Sequence, residues 1–518
     1  MLSAEWLEGR LPVETGAPRD GGTLVVRAMS EPATLNYLDD GSRDGWLNRI
    51  TSRLVTDSLL EVSPTTYELV PGLAAKWSES DDHRVTTLTL REGVTFSDGH
   101  LLDAADVIAT LDVVMDPKRP TGATRGEIPG LAKWRAVDAK TIELTWSTPS
   151  PLALRGLSRF PIFSARQLAG DWAALGQHPI GTGPFTFGAW DRGSAITLER
   201  RPGAGVPLEK IVFRFVKDHT AAAALFEKGE FDLMTNIQPV LWRGMERDEP
   251  AMAWAKRDWK RIRSLDNSYS YMAWNEQKPI FADVRVRQAL ASLYDSKLIA
   301  RIVDLDLEVP TTCPYYRDGD SCSKDAASFS FSPERAKALL ADAGFVDGDG
   351  DGVRERDGQK LEFQFLLPAT SVRLAKVVPM YQEQLRAAGI KLEVQKVETT
   401  TLPARIAKRD FDVVSRVWTE FDREQDLFQT FHSSQRDAGT NFSGYASAEA
   451  DALIEQIRAE FDVTKRRALE RKLHERLAID QPYLFMTARQ SLDAAKHRVH
   501  GLQPSLLWYD LRRVWVSD

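Results

Sequence analysis

The chain is poor in the groups that carry enzyme chemistry. It has two cysteines, Cys313 and Cys322, and eight scattered histidines in 518 residues. His497 and His500 are neighbours, but no third ligand type clusters with them. There is no His-Glu-x-x-His, no Cys-x-x-Cys and no Gly-x-Ser-x-Gly, so nothing signals a zinc peptidase, a dithiol centre or a serine hydrolase. No run approaches the ~20 apolar residues of a membrane helix. No basic excess exists either. The net charge is −7 with both signs mixed along the chain, which argues against a nucleic-acid binder or a polybasic membrane-surface protein. The first residues lack the basic start and the apolar stretch of a signal peptide. Residues 1–20 read as an unstructured tether, with the signal segment expected to have been removed before them.

What is present is the material of a large globular protein. Apolar residues make up 43% and charged residues 27%, enough for a substantial core. The length suggests two to four lobes. Residues 22–28 are β-branched and apolar and read as a first strand. Residues 82–91 and 140–146 read as strands, the first with a clear two-residue alternation. Residues 49–60 and 103–115 have helical spacing, and Asp103 with Asp106 forms a capping-box pattern. Gly181 and Gly183 lack the Lys-Ser/Thr of a phosphate loop and open no helix, so they predict a bend. Residues 195–200 and 210–216 predict strands, and 219–231 a helix. Beyond residues 265–274 helices lengthen: 283–303, 332–343 (Ser332 as N-cap, Gly344 after the end), 372–388 and two within 447–479. Strands are expected at 361–367, 391–397 and 410–417. Helix, glycine and strand in repeated order is the signature of an α/β lobe. Residues 491–518 are strand-like again, as if the chain returns to its first lobe.

Several segments carry a collective likeness. They are Glu31, Pro32 and Asn36 after the first strand; residues 69–77; residues 88–99, ending Ser97-Asp98-Gly99; and Gly181 to Phe185, like Gly-Thr-Gly-Pro-Tyr. In the second half, Phe281, Asp283, Val286, Arg287, Gln288 and Ala289 follow Phe-x-Asp-x-x-Val-Arg-Gln-Ala, and residues 336–344 and 411–414 also fit. In this order the chain resembles the family 5 extracytoplasmic solute-binding proteins of ABC importers, the oligopeptide, dipeptide and nickel type, over residues 21–518. The resemblance implies an α/β, two-lobed periplasmic-binding-protein (class II-like) fold with an extra subdomain in the first lobe. The expected division is residues 21–268 plus 486–518 for lobe I, with a subdomain at about 55–170, and 269–485 for lobe II.

The resemblance also implies function: not an enzyme, but a periplasmic or extracytoplasmic receptor, lipid-anchored in some settings. It would close as a hinged shell on a solute and deliver it to membrane permease subunits as a monomer. An oligopeptide is the expected solute. An oligosaccharide, opine, nickel chelate or haem is the alternative within the family, and a secreted sensor or chaperone without transport the alternative outside it. The candidate ligand contacts are Ser30, Glu31 and Pro32 beyond the first strand; Tyr269 and Tyr271 at the crossover; Trp418, Thr419, Glu420, Phe421 and Asp422; and Asn441 with Tyr445. In peptide-binding relatives the loop reads Trp-x-x-Asp, and that Asp holds the α-ammonium. Here Phe421 stands at that position, flanked by Glu420 and Asp422. Arg285 and Arg287 are expected in ion pairs.

Two further features stand apart. Asp347, Asp349 and Asp351, with Val353 and Glu355, open like a calcium loop, but position twelve is Gly358 instead of the closing Glu. Structural calcium and a plain hairpin turn both remain readings, and no other cofactor is expected. Cys313 and Cys322 flank a turn-rich loop. A disulfide there would stabilise by roughly 2–3 kcal/mol in an oxidising compartment, two free thiols being the alternative.

Overall fold

Alternation of side chains decides the first sheet. In the computed structural model, which describes residues 17–42, 46–247, 259–398, 401–420, 422–437, 439–506 and 508–517, Thr23–Ala28 forms strand β1. Its Leu24, Val26 and Ala28 are buried. The chain divides into two units, Met1–Ser264 with Ser491–Asp518, and Leu265–Gln490.

In the first unit, helix α1 (Trp46–Val55) follows β1 and buries Leu47, Ile50, Leu54 and Val55. The spacing of 49–60 predicts a longer helix, but α1 stops at Val55 and Leu60–Val62 is a short strand. The stop has a tertiary cause. The Val55 carbonyl accepts a hydrogen bond from the Gly183 N–H at 3.0 Å. A Cβ on Gly181 would lie 2.0 Å from that same oxygen, so the predicted bend is a close backbone contact that only glycine allows. An antiparallel sheet follows, of β2 (Ala74–Glu79), β3 (Val85–Leu90), β4 (Leu131–Ala136) and β5 (Thr141–Trp146), in the order β2-β3-β5-β4. Helix α2 (Ala104–Met115) packs on it, with Asp103 and Asp106 forming the capping box. The chain then returns through β6 (Phe185–Asp191), β7 (Ala195–Arg200) and β8 (Lys210–Phe215). Strand β8 pairs with β1 in parallel, which needs the long crossover between them. Helix α3 (His219–Glu227) and the short β9 (Leu233–Met234), parallel to β1, complete this side.

Strand β10 (Trp259–Trp274) carries the chain into the second unit. There the region 283–303 is two helices, α4 (Val284–Ser292) and α5 (Ser296–Ile302), where periodicity alone predicts one. Asp295 breaks it by capping α5, its carboxylate accepting from the Leu298 N–H at 2.9 Å. Helix α6 (Pro333–Asp342) has Ser332 as N-cap and Gly344 at φ +87° after its end. Then come β11 (Glu362–Pro368), α7 (Leu374–Ala387), β12 (Lys391–Val397) and β13 (Val413–Thr419). Helices α8 (Ala448–Ala459) and α9 (Val463–Asp480) precede β14 (Tyr483–Lys496), on which the chain leaves the unit. The strand order is β12-β11-β13-β10-β14. It has one core on Met272, Trp274, Leu290 and Phe363, and another on Tyr269, Tyr271, Tyr483 and Phe485. Arg285 pairs with Asp283, as expected, and the Arg287 guanidinium lies 3.2 Å from the Glu276 carboxyl.

Candidate functional site

The second core ends in an aromatic block beneath β13. Tyr269 lies opposite Trp418 and Tyr271 opposite Arg416 in the antiparallel pairing of β10 with β13. Tyr271 stacks on Tyr483 with ring centroids 4.2 Å apart, and Tyr269 tilts against Phe485 at 5.3 Å. The tyrosines at 269 and 271 are only 5% and 1% exposed. Burial pushes the phenols of Tyr269, Tyr271 and Tyr483 well above their ordinary range, so all three stay neutral. The two residues read from sequence as contacts are therefore the floor of the block and do not line a surface. Trp418 is half-buried against it, and Thr419 is exposed.

Beyond β13 the chain is held from below by one residue. The Glu420 N–H donates to the Asn267 carbonyl at 2.7 Å, and the Asn267 side-chain amide donates to the Asp422 carbonyl. Asp422 is 4% exposed and its Oδ1 accepts from the Glu424 N–H at 3.3 Å, whereas Glu420 is half-exposed. Of the two acidic residues flanking position 421, Glu420 is thus the more exposed and Asp422 the buried one. Phe421 lies outside the described residues.

Asn441 and Tyr445 belong to the interior. Asn441 is fully buried; its Nδ2 donates to the carbonyls of His432 and Tyr445 at 3.1 and 2.9 Å, and its Oδ1 accepts from Ser443 at 3.1 Å. The Tyr445 hydroxyl donates to Asp480. Their polar groups brace the 441–445 turn.

In the first unit Ser30 is exposed and Pro32 buried. Glu31 is tied down locally. It accepts from the Trp190 indole at 2.7 Å and the Gly193 N–H at 3.1 Å, and pairs with Arg192, whose guanidinium stacks 3.3 Å above the Trp190 ring centre. That carboxylate fastens the β6–β7 hairpin to the end of β1.

The acidic loop is a self-closed turn. Carboxylate oxygens of Asp347, Asp349 and Glu355 lie within 4.8 Å of one another. Asp347 accepts from the N–H groups of Gly350 and Gly352, and Glu355 from Gly348. Asp351 instead pairs with Lys360, which also reaches Asp349 at 3.2 Å, while the Val353 N–H donates to Asp351. Calcium takes six to eight oxygen ligands, and here the Lys360 ammonium already supplies the neutralising charge. The residues fit a hairpin connector better than a cation cage. Cys313 and Cys322 are joined by a disulfide with Cα atoms 5.8 Å apart.

Sequence reasoning missed Asn267, Glu424, Arg467 and His474. The one available signal was Asn267 itself, a turn-prone amide inside a β-strand two residues before Tyr269.

The profile of bacterial extracellular solute-binding proteins, family 5 Middle, matches residues 68–439. The chain belongs to this family. It is a solute-binding protein of the ABC-transporter type, and not an enzyme. The oligopeptide-binding protein AppA of Bacillus subtilis (strain 168) is 28% identical, the alignment covering 97% of this chain and 93% of AppA. The solved structure of AppA with a nonapeptide superposes with a TM-score of 0.80 at 26% identity, over 97% of this chain and 100% of that one. The NikA structure from Brucella suis with Fe(III)-EDTA gives 0.83 at 22% identity over 96% and 100%, a likeness of fold. The expected α/β solute-binding fold is therefore the observed one.

Proposed function

We propose that this family 5 protein captures an oligopeptide with a free N-terminus and delivers it to the permease of an ABC transporter. The observation that carries the reading is the end of β13, where half-buried Trp418 and half-exposed Glu420 lie two residues apart on a backbone fixed by Asn267. An indole gives an apolar wall to a peptide side chain. A carboxylate held by a rigid backbone suits an α-ammonium, which needs a charged acceptor once it leaves water. Similarity to AppA, a protein solved with a nonapeptide, supports the same solute class. Glu420 then takes the part that the Asp of Trp-x-x-Asp plays in peptide-binding relatives.

A solute without a free amine, such as an opine, a metal chelate or haem, is the second reading. The sequence favours it by having Phe421 at the position that is Asp in the relatives' Trp-x-x-Asp. Calorimetry on Glu420→Gln separates the two. The peptide reading predicts at least about a tenfold loss of affinity for free-amine peptides, the worth of one charge-assisted hydrogen bond, and no change for N-acetylated ones. Equal loss for both, or none for either, contradicts it.

A further inference from the structure

The loop closed by Cys313–Cys322 is fastened to helix α9 at both ends by one side chain. His474 Nδ1 accepts from the Ser323 N–H at 3.0 Å, so its Nε2 carries the proton and donates to the Thr312 carbonyl at 3.1 Å. These two residues flank the cysteines. Within the loop, the Ser321 hydroxyl donates to Glu470 at 2.6 Å, and Arg467 donates to Ser321 at 3.0 Å and to Glu470 at 2.7 Å. The other Arg467 nitrogen donates to Glu424, which also accepts from Arg466 at 3.3 Å. Ser321, Glu424, Arg466 and Glu470 are all buried. A second contact joins the same two segments. The Arg423 guanidinium lies over the Tyr316 ring at 5.5 Å, and Tyr315 is buried in one cluster with Tyr269 and Leu427.

We infer that the disulfide-closed loop positions residues 422–427, and that Glu424 and Arg467 are positioning residues for the segment carrying Trp418 and Glu420. The physical reason is the burial of the charges. A buried carboxylate or guanidinium is tolerated only while its partners are in place, so the network acts as a unit. The cross-link keeps Ser321 in register with Glu470 and Arg467, and Arg467, on α9, in turn holds Glu424. With Asn267 fixing residues 420 and 422, the segment after Trp418 is gripped at both its start and its middle. The relevance to solute binding rests on the reading of Trp418 and Glu420 given above; the positioning itself does not.

Hydrogen exchange on the full chain tests it. In the Cys313→Ser/Cys322→Ser double variant, the amides of residues 422–427 exchange at least about tenfold faster, while α7 and β11 keep the parent rates. Arg467→Met reproduces the effect, and Arg467→Lys, which keeps a cation beside Glu424, stays within about threefold of the parent. If the double variant does not fold, Ser321→Ala tests the same link without touching the cross-link. Faster exchange confined to residues 313–323, with 422–427 unchanged, overturns the inference. Peptide affinity measured on the same variants reports separately. Loosening of 422–427 without loss of peptide affinity upholds the positioning role and counts against placing the peptide at Trp418 and Glu420; unchanged exchange sinks the positioning role and leaves the peptide reading standing.

Discussion

The Asn267 side-chain amide donates to the main-chain carbonyl of Asp422, 155 residues further along the chain. The Asn267 carbonyl meanwhile accepts from the Glu420 N–H. One residue of β10 thereby sets the path of the segment after β13. Truncation to Ala leaves the Asp422 carbonyl without its donor in a buried place. Asn267→Ala is expected to lower unfolding free energy by about 1–3 kcal/mol in urea titrations and to weaken solute binding with it. Stability within about 0.5 kcal/mol of the parent would show that the contact is not needed.

Gly181 and Gly99 give a matched pair. A Cβ on Gly181 meets the Val55 carbonyl at 2.0 Å, whereas Gly99 sits at φ +86° with no atom within 4 Å. Gly181→Ala must displace the backbone, and a loss of more than about 2 kcal/mol is expected. Gly99→Ala meets only the left-handed backbone penalty, about 1 kcal/mol. Thermal denaturation of both variants checks the order.

His474 predicts an acid-side loss of stability. Burial holds its pKa down to about 4, from an ordinary 6.5. Between those values the unfolded chain binds a proton that the folded chain refuses, so stability falls as pH drops through that window. The loss is up to about 1.4 kcal/mol per pH unit. His474→Gln removes this contribution, and its denaturation midpoint should vary less between pH 6.5 and 4 than that of the parent.

Glu276 predicts the opposite slope. It is buried beside Arg287 at 3.2 Å, and desolvation raises its pKa to about 8 against a partial pull down by Arg287, with Asp480 adding to the rise and Arg436 opposing it. The folded chain therefore keeps a proton that the unfolded chain has lost, and stability falls as pH rises from about 4.5 to 8. Glu276→Gln should flatten that limb in denaturation series at pH 5, 6, 7 and 8. A parent curve that is already flat there would contradict the buried protonated acid.

The regular elements were legible because burial imposes period. Residues 103–115 and 332–343 show one apolar face each and 361–367 an apolar strand pattern, and the structure has α2, α6 and β11 there. The helix ends at Val55 and Ser292 were not, since a glycine N–H from residue 183 and a capping Asp295 decide them, and neither alters the local apolar pattern. The site divides the same way. The Trp418 segment was singled out by its likeness to a local motif. Asn267, Glu424 and Arg467 were not, because their partners lie 155 and 43 residues away, and one charged residue on a helix looks like any other until its partner is placed. For Asn441 and Tyr445, a turn sequence with an amide and a phenol is compatible with a solute contact and with an interior turn, and the structure shows their side chains bonded within the turn and to Asp480.

The most direct measurement is mass spectrometry of what the purified chain retains from a complex peptide digest, released by denaturation and compared with Glu420→Gln. The account predicts peptides with unmodified N-termini, bound near one per chain by the parent and strongly depleted in the variant. Retention of no peptide, or equal retention of N-acetylated and free-amine peptides by both proteins, would contradict it.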